Sequence, residues 1–114
     1  KFGCSDIGYM QPRSIAGELD FWTNMEKPLA HSPIRYAKNV RTATLLIHSE
    51  NDLRCPMEQA EQWFVALKQQ GVPTELVRFP DENHELSRSG KPKHREERLH
   101  HMLRWFDKYL KPAI

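Results

Sequence analysis

The chain has 114 residues, 39% hydrophobic and 28% charged, the balance of one small folded domain rather than of a disordered segment. Its formal net charge of +2 is too small to mark a nucleic-acid or membrane partner, and no apolar run approaches the roughly 18 residues of a membrane span. Cys4 and Cys55 have neither metal-type spacing nor the number needed for a disulfide framework, so a reducing, cytoplasmic setting is expected.

The sequence opens on Lys1 with no signal-peptide pattern, which reads as a piece of a longer chain. From Lys1 to Asn24 the apolar residues follow no single period. A short helix is expected from Pro12 to Trp22, in a stretch whose aromatics would pack over something else as a lid or connection. Glu26 to Asn39, interrupted by Pro28 and Pro33, should form short turns and at most one helical turn. Ser32 before Pro33 reads as a helix N-cap, with Ile34, Ala37 and Val40 facing inward.

Thr42 to His48 is a near-continuous apolar run of strand length, the pattern of a strand covered on both faces in a parallel sheet. A polar loop follows, and then a helix over 57–70. That helix presents Ala60, Trp63, Phe64 and Leu67 on one face, opens at Pro56 and is closed by Gly71 and Pro73. Thr74 to Phe79 reads as a second strand. A strand, a helix and a strand in this order form a βαβ unit with parallel strands, so the fold class is α/β. After a polar loop from Pro80 to Lys93, a last helix is expected over 94–110, buried through Leu99, Met102, Leu103, Phe106 and Leu110.

Chemistry in open α/β sheets sits outside the carboxyl ends of the strands. Asp52 lies just past the first strand, where it is either an active-site acid or a cap for the next helix. His84 lies past the second strand at the same sheet edge. A carboxylate beside an imidazole is two thirds of a nucleophilic triad, and the order Asp then His is that of α/β-hydrolases after their nucleophile. A structural loop histidine is the alternative. No Gly-x-Ser-x-Gly occurs. Ser5 lies in Gly3-Cys4-Ser5-Asp6-Ile7-Gly8, which has Ile7 in place of the second glycine and no strand before it. Ser5 and Cys4 are therefore set aside as nucleophiles. Cys55, beside a proline at a helix start, is read as a packing residue. Asp81, Glu82, His84 and Glu85 lack the spacing of a metal site, so no metal or cofactor is expected. Lys91, Lys93, His94, Arg95, Arg98, His100 and His101, interspersed with Glu96 and Glu97, read as a solvated helix face.

His48-Ser-Glu-Asn-Asp52-Leu-Arg54-Cys-Pro56 and Phe79-Pro-Asp-Glu-Asn-His84-Glu resemble the two motifs in the C-terminal catalytic region of the prolyl oligopeptidase family, most of all its acylaminoacyl-peptidase-like branch. The segment Ser32-Pro33 with Tyr36-Ala37 is similar to the family's approach to the acid-bearing strand. Ser49 and Asp81 stand where the family motifs usually have glycine. The resemblance covers about Ser5 to Lys111. It implies the C-terminal part of an α/β-hydrolase domain, with Asp52 as triad acid, His84 as triad base and Arg54 as a binder of a substrate backbone carbonyl. A surface salt bridge is the other reading of Arg54. The family's serine elbow, oxyanion donors, first strands and β-propeller would lie upstream of residue 1.

The expectation is thus a serine peptidase acting on short or acylated peptides by acyl transfer, with this chain inactive alone. A carboxylesterase with the same triad and a non-catalytic association module are the alternatives. Three structural consequences follow. Asp52 and His84 should be neighbours; the first strand should have an open edge; and the chain should associate, with itself or with the missing N-terminal part of the domain.

Overall fold

The computed structural model describes residues 5–6 and 25–112. The expectations for the stretch up to Asn24, apart from Ser5 and Asp6, lie outside the described residues. Helix α1 (Glu26–Ala30) and a 3-10 helix (Pro33–Asn39) lead into strand β1 (Thr44–Ser49). Helix α2 (Met57–Gln69), strand β2 (Thr74–Phe79), the short helix α3 (Leu86–Ser89) and helix α4 (Pro92–Leu110) follow.

β1 and β2 pair in parallel, Thr44 opposite Thr74 and Ser49 opposite Phe79. The parallel ladder follows from the helix between them, which carries the chain back to the same end of the sheet. Alternation then assigns two faces. Leu46 and His48 share a groove with Ser32, Ile34, Ala60 and Trp63, so they face the layer made by α2 and the 3-10 helix. Leu45, Ile47 and Ser49 share another with Met102, Trp105 and Phe106 of α4. β2 obeys the same rule: Arg78 reaches Glu61 of α2 (2.6 Å), and Glu75 reaches Arg104 of α4 (2.7 Å). Arg104 holds the Glu75 carboxyl below its ordinary pKa.

α2 meets its sequence pattern. Ala60 and Leu67 are buried, Leu67 completely, and Trp63 and Phe64 are half-buried. Gly71 at φ 73° ends it, with Val72 N–H donating to the Leu67 carbonyl (3.1 Å) and Gly71 N–H to that of Lys68 (3.0 Å). This is the left-handed closure for which glycine is suited.

Four expectations need correction. α4 buries Trp105 (5% exposed), whereas Leu99, Leu103, Phe106 and Leu110 are 51%, 61%, 51% and 72% exposed. The helix has two apolar stripes, and the sheet touches the one that carries Trp105. α4 also begins at Pro92, whose missing N–H costs nothing in a first turn, and α3 forms within the polar loop expected over 80–93. Ser32 stands at the N-cap of the 3-10 helix with Pro33 in its first turn, as expected, but its hydroxyl donates back to the Pro28 carbonyl (2.9 Å) and caps no N–H, and of Ile34 and Ala37 only Ala37 is buried. The basic face of α4 is only partly solvated. His94, Arg98 and His101 are half-buried, with His94 and His101 against the buried ring of Phe79.

Candidate active site

The ladder continues past both strands. Glu50 N–H donates to the Phe79 carbonyl (3.0 Å) and Asn51 N–H to the Glu82 carbonyl (2.9 Å), so the loops after β1 and β2 are laced together before Asp52 and His84. Asp52 follows Asn51 and is buried (7% exposed). Its Oδ1 accepts the Cys55 N–H (2.7 Å), which closes the turn ahead of α2. Next to it, His48 Nε2–H donates to the Cys55 carbonyl (2.6 Å), and the same nitrogen lies 3.7 Å from Asp52 Oδ2. The acid is thereby fixed by its own loop.

The loop after β2 turns back sharply at Asp81, whose φ of 58° is left-handed. A glycine would adopt that angle freely, which accounts physically for the residue usual at this point of the motif; aspartate is among the few others that tolerate it. The turn sends Glu82 inward and His84 toward β1. His84 Nδ1–H donates to Asp52 Oδ2 at 2.9 Å, with Oδ1 at 3.2 Å. Since an ionised carboxylate only accepts, this pairing puts the proton on Nδ1 and leaves Nε2 as the basic nitrogen. The imidazole is half-exposed and opens on a groove of about 710 Å3 between β1 and α4. Among the described residues, no hydroxyl or thiol hydrogen-bonds the His84 ring.

Arg54 does not touch the Asp52–His84 pair. Its guanidinium is clasped by Asp6, Nε to Oδ1 at 2.7 Å and Nη2 to Oδ2 at 3.4 Å. Each partner favours the charged form of the other: the Asp6 carboxyl is held below, and the Arg54 guanidinium above, its ordinary pKa. Ser5 Oγ donates to the Arg54 carbonyl (2.6 Å), so Ser5 and Asp6 are both seated on the acid loop. Cys55 is half-buried with a free thiol. The acidic residues around His84 diverge. Asp81 pairs with Lys91 at 3.6 Å, Glu85 with Arg88, and Glu82 with His94 at 2.6 Å.

Two residues that build the site escaped the sequence reading. His48 stands at the head of the first motif, which was a signal, but its task as a loop clasp is visible only in three dimensions. Glu82 looked like one more acid in a polar loop; its burial depends on the turn at Asp81.

Among the described residues no helix is long and apolar enough to cross a membrane. Over 108 residues the chain is 49% identical to an uncharacterized peptidase of Bacillus subtilis (strain 168), YuxL, covering 95% of this chain and 16% of that protein. It superposes on uncomplexed Pyrococcus horikoshii acylaminoacyl peptidase with a TM-score of 0.87 at 33% identity, over 99% of this chain and 18% of that one. An acylaminoacyl peptidase in complex with Z-Gly-Gly-Phe-chloromethyl ketone matches with the same TM-score of 0.87, identity of 33% and coverage of 99% and 18%. The chain therefore spans less than a fifth of the length of these relatives. Residues 3–113 match the prolyl oligopeptidase family, so nearly every residue that builds the paired strands, the acid loop and the histidine loop lies inside that match. With its α/β-hydrolase arrangement of parallel strands and helices, the chain belongs to the prolyl oligopeptidase family.

Proposed function

We propose that the chain supplies the acid and the base of a serine peptidase acting on short or N-acylated peptides, with Asp52 and His84 in those roles. The observation that carries this reading is the 2.9 Å bond from His84 Nδ1–H to the buried Asp52 carboxylate, made where two parallel strands end. His84 Nε2 takes the proton of a serine hydroxyl as its oxygen attacks the acyl carbon. The tetrahedral intermediate then collapses, the C–N bond breaks, and the leaving amine receives that proton from Nε2. Water repeats the sequence on the acyl-enzyme and frees the serine. Asp52 holds the Nδ1–H tautomer throughout and stabilises the imidazolium. The serine and the oxyanion donors are assigned to the preceding part of the same α/β-hydrolase domain, of which residues 1–114 form the C-terminal part, and that part is the proposed partner of this chain.

Arg54 is the proposed carbonyl binder. Asp6 engages Nε and Nη2, and Nη1 carries two further N–H donors for a substrate oxygen. Peptide chemistry is supported by the likeness to the acylaminoacyl peptidase complexed with Z-Gly-Gly-Phe-chloromethyl ketone. The low cysteine content supports a cytoplasmic location.

The test is to graft residues 3–113 in place of the matching segment of Pyrococcus horikoshii acylaminoacyl peptidase. N-acetyl-peptide anilides should be turned over by the graft and p-nitrophenyl acetate left at background by the 114-residue chain alone. A graft that cleaves simple esters but no peptide would make the site a carboxylesterase; ester turnover by the chain alone, abolished by a fluorophosphonate, would show a nucleophile within it.

A further inference from the structure

Three elements converge on Glu82, a residue with no part in the proton transfers above. Its carboxylate is buried (5% exposed), and Oε1 accepts two hydrogen bonds from the start of α4, the Lys91 N–H at 3.0 Å and His94 Nδ1–H at 2.6 Å. Its own carbonyl accepts the Asn51 N–H of the acid loop at 2.9 Å. His94 is locked in turn, its ring tilted against Phe79 with centroids 5.3 Å apart. The space around the carboxylate is closed by Gly90: a Cβ there would lie 2.9 Å from Glu82 Oε2 and 2.5 Å from the Leu86 carbonyl oxygen. Glu82 is thus itself tied to Asn51, the neighbour of Asp52, and stands two residues before His84.

We propose that Glu82 is the positioning residue of the Asp52–His84 pair: its side chain fastens the histidine loop to α4 while its backbone fastens that loop to the acid loop, and together these set the distance between carboxylate and imidazole. The proposal rests on the reading of Asp52 and His84 as one functional pair. A buried carboxylate without partners is costly, so burial here is sustained by the two donors from α4, and the histidine loop is held to a rigid helix rather than left to its own flexible ends. Both side-chain bonds reach the same oxygen. Glutamine at this position therefore keeps both acceptor contacts, alanine keeps neither, and aspartate, shorter by one methylene, falls short of them.

The experiment is imidazole 1H–15N NMR on the 114-residue chain, following the hydrogen-bonded Nδ1–H resonance of His84. Asp52→Asn assigns that resonance by displacing it. Wild type and Glu82→Gln should show it at closely similar positions, and Glu82→Ala and Glu82→Asp should lose it while the methyl spectrum remains that of a folded chain. If Glu82→Ala does not fold, Glu82→Asp and His94→Ala decide, the latter weakening the resonance by removing one of the two bonds. An unchanged His84 resonance in the folded alanine or aspartate variants would overturn the role of Glu82 alone. A wild-type chain with no such resonance would overturn the pairing on which it rests, and the proposal with it.

Discussion

Asp52 was open to two readings, cap or acid; its Oδ1 accepts the Cys55 N–H in the turn ahead of α2, whose N-cap residue is Pro56, so it holds the turn rather than capping the helix, and its Oδ2 accepts from the His84 ring. The two go together, since an acid that must orient an imidazole is better held by a backbone donor than by a mobile side chain. Glu82 adds a pH signature. Its carboxyl is held below the ordinary value chiefly by the Lys91 N–H and then by His94, against the opposing effect of burial. A depressed folded-state value stabilises the fold above the unfolded carboxyl pKa, about 4.3, and that contribution disappears as pH falls through the folded value. Urea midpoints measured from pH 6 to 3 should therefore fall more steeply below about pH 4.3 in wild type than in Glu82→Gln, with the two profiles parallel above it. Parallel profiles throughout would show that Glu82 ionises alike in the folded and unfolded chain.

At the scale of elements, β2, α2 and nearly all of β1 were legible because the strands are short apolar runs, the 3.6-residue period of α2 is uninterrupted, and the ends carry Pro56, Gly71 and Pro73. α4 was legible as a helix but not in its orientation. Leu99, Leu103, Phe106 and Leu110 outnumber the apolar residues of the opposite stripe, so a count of apolar side chains selects the wrong face. Trp105 is the buried side chain of α4, beside half-buried His94, His101 and Arg98, which a hydropathy count discards. Trp105→Ala should thus cost about 3–5 kcal/mol of stability, and Leu103→Ala no more than about 0.5 kcal/mol, in denaturant titrations of the 114-residue chain at concentrations low enough to keep it monomeric. The opposite order would restore the stripe expected from sequence. The pairing of Asp52 with His84 was legible because it depends only on parallel strands ending at one edge; the Asp6 clasp on Arg54 was not, since it joins residues far apart in sequence through no regular element.

Among the described residues, at the scale of the molecule, the sheet has two strands with one unpaired edge each, and the exposed stripe of α4 lies beside the groove along β1. Large apolar side chains of this kind contribute roughly 1.5–3 kcal/mol each when fully buried. An open edge next to an apolar surface recruits a partner. At micromolar concentration the chain should sediment faster than a monomer, and Leu103→Glu with Leu110→Glu should reverse this. A monomer at all concentrations would mean that the stripe is tolerated in water.

The central claim, that His84 and Asp52 are the base and acid of an acyl-transfer triad completed from outside this segment, is tested most directly by kcat in the grafted peptidase. His84→Ala should lower kcat on an N-acetyl-peptide anilide by about 10⁴–10⁶-fold and Asp52→Asn by about 10⁴-fold, with KM changed far less. A folded graft without activity, or a His84→Ala graft that keeps more than about a tenth of the parent kcat, far above the residual rate of a broken triad, would contradict it.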